Sequence, residues 1–238
     1  MGFLGMFGGS KTDRLVKKLT NAYAQTSERV RVMEILADMG TDESLYGLLK
    51  RFSYRVERDI LDQDEKERAF DLIVAAGETA IPSIERYVAE YDSVYWPLKA
   101  LKSIAGLEAA VTVLLRVLDS ADQKEGRVNE QRDQLVANLR DFQHPLIKER
   151  LIGLCEDPND EVRLKALDGL ATYGPDAALE AFASRILDAD ESASVKAVLF
   201  EQLVESGWSL APWRAEIEER ELLPGFYRLN SSGAVIRS

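Results

Sequence analysis

Two amphipathic runs separated by a glycine corner make up the stretch Glu156–Phe182, with the sequence EDPNDEVRLKALDGLATYGPDAALEAF. Leu167, Leu170 and Ala171 precede Gly174 by seven, four and three residues, and this spacing puts all three on one face of a helix. Glycine ends helices readily because it enters the left-handed conformation without the steric cost that a side chain adds. The stretch therefore predicts one helix, a corner and a second helix.

The same corner recurs along the chain and predicts a repeat protein. Clear copies, with apolar residues at the same three offsets, have their corners at Gly40, Gly77 and Gly207. Two weaker copies have corners at Gly106, where the apolar pattern slips by one residue, and at Phe142, which replaces the glycine. Successive corners are 29 to 37 residues apart, within the range of stacked helical repeats. Because one helix pair cannot bury its own apolar face, we expect neighbouring pairs to stack.

Both ends of the chain depart from this repeat, as capping segments do. Residues 1–12 contain a short, glycine-broken apolar run, which predicts a flexible terminus or, alternatively, a short tether to a membrane or partner. A capping helix is predicted from Asp13 to about Gln25, and the repeats then continue to residue 221. In residues 222–238, two β-prone runs flank a turn and predict a hairpin or an extended tail over the last repeat.

The stretch Asp157–Leu187 resembles a HEAT repeat, in particular the short bacterial type first named from phycobilisome lyases. The matching features are the Asp157-Pro158 opening, the Val162-Arg163 pair, the run Ala166-Leu167 with Leu170, the corner Gly174, and Ala178-Leu179. The resemblance covers about residues 26 to 220. It implies an all-α fold: a right-handed α-solenoid of about six helix pairs, with the second helices lining the concave side.

Composition narrows the classes of partner. A net charge of −11 and a pI near 4.8 argue against nucleic acid and against an anionic membrane surface. The single cysteine, Cys155, allows no disulfide within the chain and fits a cytoplasmic location. Because there is also a single histidine, His144, a zinc site built from cysteine and histidine is almost excluded. We expect no metal and no cofactor.

Catalytic motifs do not stand out in the sequence. There is no glycine-rich phosphate loop and no Gly-x-Ser-x-Gly elbow, and carboxylates are too frequent for one pair to be chosen as acid and base. HEAT-like proteins include scaffolds, adaptors, bilin lyases and DNA glycosylases. We therefore predict a non-enzymatic scaffold or adaptor that binds a protein or peptide on its concave face. A bilin-lyase-like enzyme and a HEAT-like DNA glycosylase or nucleic-acid binder are the alternatives.

The candidate partner-binding residues lie in the stretch LLKRFSYRVERD, at the second helix of the first repeat. On a helix, Arg51, Tyr54, Arg55 and Arg58 fall on one side. Such a cationic and aromatic stripe would pair with carboxylates or phosphates of a partner. The alternative is a solvated face with internal ion pairs, to Glu57, Asp59 and Glu65.

One aromatic residue, Trp96 in DSVYWPLK, completes the predicted partner-binding set. A tryptophan at the start of a helix is a strong interface anchor, although packing against the adjacent repeat is the alternative. Cys155 follows an apolar run and is predicted to be a buried structural residue, not a nucleophile.

Overall fold

The structure is a computed structural model that describes residues 10–123 and 130–238. The chain is mostly helical, with one short antiparallel strand pair near the C-terminus, which confirms the all-α class. It forms two compact units, unit 1 (Met1–Asn138) and unit 2 (Leu139–Ser238). In the described ranges, every helix is too short or too polar to cross a lipid bilayer.

Unit 1 is built from helices in two rows. The helices are α1 (Lys11–Leu19), α2 (Thr26–Met39), α3 (Asp42–Leu49), α4 (Asp59–Ala76), α5 (Ile81–Glu90), α6 (Tyr95–Ala105), α7 (Leu107–Asp122) and α8 (Glu130–Leu139), with 3-10 turns at Lys50–Ser53 and Gly77–Ala80. In one row, α2 contacts α4 and α4 contacts α6. In the other row, α3 contacts α5 and α5 contacts α7. First and second helices of successive pairs therefore form separate layers.

Helix α1 is the predicted capping helix, but its bounds differ from the prediction. It begins at Lys11 because Ser10 and Asp13 form a capping box, in which each side chain accepts the other residue's backbone N–H. It ends at Leu19, well before Gln25, and packs on α2 and α3. The predicted flexible terminus at residues 1–12 lies mostly outside the described residues, since the structure describes only its last three.

Unit 2 is also mostly helical and ends in a hairpin. Its elements are α9 (Pro145–Leu154), α10 (Asp160–Ala171), α11 (Pro175–Leu187), α12 (Ala193–Ser206), a 3-10 turn (Ala211–Trp213), α13 (Arg214–Glu219), β1 (Tyr227–Leu229) and β2 (Val235–Arg237). Helix α10 contacts α9, α11 and α12. The strands pair antiparallel with Tyr227 opposite Arg237, and the Tyr227 ring packs 5.5 Å from the Phe200 ring of α12. The predicted hairpin is confirmed.

The glycine corners are confirmed by backbone conformation. Gly40, Gly77, Gly106 and Gly207 each directly follow the last residue of a helix and have a positive φ. Gly174 also has a positive φ, but it lies three residues after the end of α10 and directly before α11. Gly174 has φ 88° and ψ 176°, a region that essentially only glycine populates. The apolar offsets are also confirmed where they were clearest, because Leu167 and Leu170 before Gly174 are fully buried. Apolar residues at fixed offsets before a glycine therefore predicted both the corners and buried core positions.

Candidate functional site

The predicted stripe Arg51–Arg58 is not a helical face. Helix α3 ends at Leu49, a 3-10 turn follows, and the backbone is extended at Tyr54, with φ −145° and ψ 165°. Arg55 and Arg58 are exposed, and Arg55 pairs with Asp59 at 2.7 Å. The expectation that one helix presents all four residues to a partner is therefore wrong.

Arg51 is fully buried and its guanidinium is used inside unit 1. Its Nε donates to Glu65 at 2.8 Å and its Nη2 donates to Asp62 at 2.8 Å, while Nη1 donates to the carbonyl of Tyr54 at 3.2 Å. The same guanidinium lies 4.6 Å from the centre of the Tyr54 ring. A buried arginine needs such paired acceptors because an unpaired buried charge is strongly unfavourable. Arg51 is therefore inaccessible to a partner, and it joins the turn after α3 to α4.

Glu65 is the acid on which two arginines converge. Arg29 donates to both of its carboxylate oxygens, and Arg51 donates to one of them. Burial opposes ionisation of Glu65, but the hydrogen bonds from Arg29 and the charge of Arg51 outweigh it and lower the pKa of Glu65. The internal pair with Glu65 that the sequence left as an alternative for the stripe is thus present, and it involves Arg51.

Trp96 lies in an aromatic cluster between α4, α6 and the turn after α3. Its ring stacks on Phe52 at a centroid distance of 6.1 Å, tilts against Phe70 at 5.7 Å and meets Tyr95 edge-on at 5.5 Å. Trp96 itself is partly buried, whereas Tyr95 is 44% exposed. Packing inside unit 1 accounts for Trp96, and its role as a partner anchor stays a prediction.

A different set of charged and aromatic residues gathers on the second-helix layer, between α3 and α5. The Arg86 guanidinium lies 3.9 Å from the centre of the Tyr46 ring, and the Lys50 ammonium lies 5.0 Å from it. The Tyr46 hydroxyl donates to Glu90, which also accepts from Arg86 Nε at 3.3 Å. Burial and this hydrogen bond raise the pKa of Tyr46, so the phenol stays protonated and keeps donating.

A groove of about 460 Å³ lies beside this cluster, between α5 and α7. We call it the α5–α7 groove. It is lined by Pro82, Glu85, Arg86, Ala89, Arg116, Val117, Ser120 and Gln131. Arg116 of α7 reaches across to Glu85 of α5, with 2.8 Å between Nη2 and Oε2. Gln131 donates to the carbonyls of Val88 and Ala89, at 3.1 and 3.0 Å, and covers the end of α5.

The two arginines of the α5–α7 groove each form an ion pair and still have partly exposed side chains. The side chain of Arg86 is 48% exposed and that of Arg116 is 55% exposed, so both guanidinium groups remain accessible to a ligand. Among the residues that the structure describes, one carboxylate pairs with each arginine, Glu90 with Arg86 and Glu85 with Arg116. A guanidinium offers five N–H donors in a planar fork, so each arginine can take a further carboxylate.

Sequence reasoning missed this site. Arg86 and Glu90 are spaced as an ion pair along one helix, a signal that many solvated helix faces share. Arg116 and Glu85 are 31 residues apart, and only the packing of α5 against α7 brings them together. The spacing of Arg86 and Glu90 is therefore too common a pattern to identify α5 as part of a binding site.

Unit 2 contains a second groove, of about 360 Å³, between α9 and α11. Ile152 lies in its lining with 47% of its surface exposed, and the acidic residues Glu156 and Glu180 also line it. Cys155 contributes to the wall but is buried, as predicted, and burial raises its pKa to about 12. Because a thiol with that pKa is protonated at neutral pH, Cys155 is not an activated nucleophile.

Guanidinium, carboxylate and aromatic side chains are the groups that the Tyr46 cluster and the α5–α7 groove present. Within residues 10–123 and 130–238, no group of three His, Cys, Asp or Glu side chains is arranged to hold a metal ion. His144 caps α9, because its Nδ1 accepts the N–H of Leu146 at 3.2 Å.

Comparison with protein-family models and with curated proteins finds no match for this chain.

Proposed function

We propose that the protein is a non-enzymatic scaffold, a right-handed α-solenoid of about six HEAT-like helix pairs, that binds a protein or peptide through the α5–α7 groove. The observation that carries this proposal is the pair of half-exposed arginines, Arg86 and Arg116, that line one groove in a chain of net charge −11. Scaffold function fits a layer of second helices that presents such a groove. A reducing compartment, the cytoplasm, suits the buried free thiol of Cys155.

The partner is a peptide segment that carries acidic side chains. Exposed ion pairs such as Arg116–Glu85 contribute little net stability. A carboxylate of the partner can therefore replace Glu85 as the counterion of Arg116 at little cost in free energy. Arginine favours carboxylates because the fork geometry permits two parallel hydrogen bonds. Val117, Ala89 and Pro82 supply apolar surface beside the arginines, so we expect an apolar side chain next to the acidic ones.

Selection of a random peptide library against the full chain tests this proposal. We expect the selected peptides to share acidic residues next to an apolar one. The affinity of one selected peptide, measured by fluorescence anisotropy, is expected to fall roughly tenfold or more in the Arg86→Glu/Arg116→Glu variant. Circular dichroism of that variant checks that the helices are retained.

A matched control uses the ion pair of Arg68 with Glu34, which at 2.7 Å is close to the 2.8 Å of Arg116 with Glu85. This pair is similarly exposed, but it joins α4 to α2 in the other layer. Arg68→Glu is expected to leave peptide affinity unchanged. Selected peptides without acidic residues, or an affinity that the groove variant and the control change equally, would remove the α5–α7 groove as the binding site.

A further inference from the structure

The ammonium group of Lys99 lies over three aromatic rings of unit 1. Its Nζ is 4.7 Å from the centre of the Trp96 ring, 5.2 Å from that of Phe70 and 5.8 Å from that of Tyr95. We call these three rings the aromatic cage. All three distances fall within the range, about 6 Å, at which an aromatic face attracts a cation.

Two helices, α4 and α6, contribute the rings of the aromatic cage. Tyr95 and Trp96 precede Lys99 on α6 by four and three residues, so helical geometry puts them beside it. Phe70 belongs to α4 and enters because α4 packs on α6. Phe52 stacks on Trp96 with an interplanar angle of 10° and supports the ring from another element. The cage is therefore a product of tertiary packing as well as of helix spacing.

Within residues 10–123 and 130–238, the three rings are the groups that contact the Lys99 ammonium. In the described part of the chain, no carboxylate lies within ion-pair distance of it, although acidic residues are abundant in the sequence. The side chain of Lys99 is on an exposed position, and Tyr95 is 44% exposed, so the ammonium can leave and another cation can enter from solvent. An alkylammonium ion, that of Lys99, therefore already lies on these aromatic faces in the structure.

We propose that the aromatic cage of Phe70, Tyr95 and Trp96 is a binding site for a trimethylammonium group, which Lys99 occupies in the absence of ligand. Quaternary ammonium ions suit aromatic cages because they are weakly hydrated and have no N–H donor to satisfy. A primary ammonium such as that of Lys99 is strongly hydrated, so it is a poor competitor for the same rings. This site lies on the first-helix layer and takes a cation, so it is separate from the α5–α7 groove.

Fluorescence of Trp96 provides the assay. The chain has three tryptophans, and the Trp208→Phe/Trp213→Phe background leaves Trp96 as the sole reporter. Full-length protein in this background is titrated with choline and, separately, with a short peptide that contains trimethyl-lysine. We expect saturable binding of both probes, and the tighter of the two distinguishes a small-molecule ligand from a modified protein. The neutral choline analogue 3,3-dimethylbutanol, which has the same shape, is expected to bind at least tenfold more weakly.

Variants of the cage give the decisive comparison. Lys99→Ala removes the internal competitor and is expected to tighten trimethylammonium binding roughly fivefold. Adding Tyr95→Ala to Lys99→Ala removes one wall at an exposed position and is expected to abolish most of that gain. Lys17→Ala, which removes the same charge from exposed α1, serves as the control and is expected to change nothing.

Three results would overturn the proposal. The first is the absence of saturable binding of either trimethylammonium probe in a Lys99→Ala protein whose circular dichroism is native. The second is equal binding of 3,3-dimethylbutanol and choline, which would identify an ordinary apolar patch. The third is equal affinity of the starting protein and Lys99→Ala, because Lys99 would then not occupy the ligand position.

Discussion

Arg29 holds both carboxylate oxygens of Glu65, with Nε at 3.1 and 2.9 Å and Nη2 at 2.6 Å. Arg163 makes the same kind of contact with Glu191 in unit 2, where Nε donates at 2.9 Å and Nη2 donates to the other oxygen. Both arginines are the fourth residue of their helices, α2 and α10, and both stand eleven residues before a glycine corner.

Each of these arginines also binds the backbone that precedes its own helix. Arg29 Nη1 donates to the carbonyls of Ala22 and Ala24, and Arg163 Nη1 donates to the carbonyl of Asp157 at 2.7 Å. One side chain therefore joins the entry of one helix pair to an acid of the next pair. The same arrangement is present in both units.

Replacement of Glu65 by glutamine is expected to destabilise the protein strongly. The substitution leaves Arg29 and Arg51 buried with too little negative charge, and breaking a buried pair in this way costs about 3–5 kcal/mol. Urea unfolding followed by circular dichroism measures the loss. Glu67→Gln, an exposed change on the same helix, is the control, and equal stability of the two variants would contradict the buried network.

Acid is expected to weaken the fold through the same network. Burial opposes ionisation of Asp62, but hydrogen bonds from Lys66 and Arg51 outweigh it, so the pKa of Asp62, like that of Glu65, is lowered. A carboxyl whose pKa is lower in the folded chain stabilises the fold above its unfolded value, about 4, and this stabilisation disappears as pH falls through the folded value. Urea midpoints between pH 7 and pH 3 should fall, and the fall should be shallower in Glu65→Gln. Parallel pH profiles would be inconsistent with this account.

Replacing a glycine by alanine should lower the stability of the fold at a corner and raise it inside a helix. At Gly174 an added Cβ meets no atom within 4 Å, so the cost of Gly174→Ala is backbone strain alone, about 1–3 kcal/mol. At Gly153, inside α9, there is equal space and no positive φ, so Gly153→Ala should stabilise by about 0.5–1 kcal/mol. Thermal unfolding of the two variants checks both signs, and destabilisation by both would refute the assignment to backbone conformation.

The groove proposal predicts a gain of affinity as well as a loss. Glu85→Gln removes the internal counterion of Arg116 and should strengthen binding of an acidic peptide about two- to threefold, since exposed pairs are weak. Fluorescence anisotropy with the selected peptide measures the change, and raised salt should weaken binding by screening. Glu34→Gln, which removes the counterion of Arg68, controls for the change in net charge. A gain that is equal in both variants would place the effect in overall charge rather than in the groove.

Local signals in the sequence were sufficient for the helix pairs, the corners and the hairpin. Apolar residues at fixed offsets before Gly40, Gly174 and Gly207 predicted which positions are buried, because helix periodicity and the glycine conformation are properties of a short segment. The buried state of Cys155 followed from the apolar run before it.

The candidate sites depended on contacts between distant residues, which only the tertiary structure decided. Arg51 looked like part of an exposed stripe, but α3 stops at Leu49 and the packing of α4 supplies acids that draw the guanidinium inside. Arg116 meets Glu85 because α5 packs on α7. Spacing along one helix defines a face, but whether that face is buried, paired or open depends on the elements packed against it.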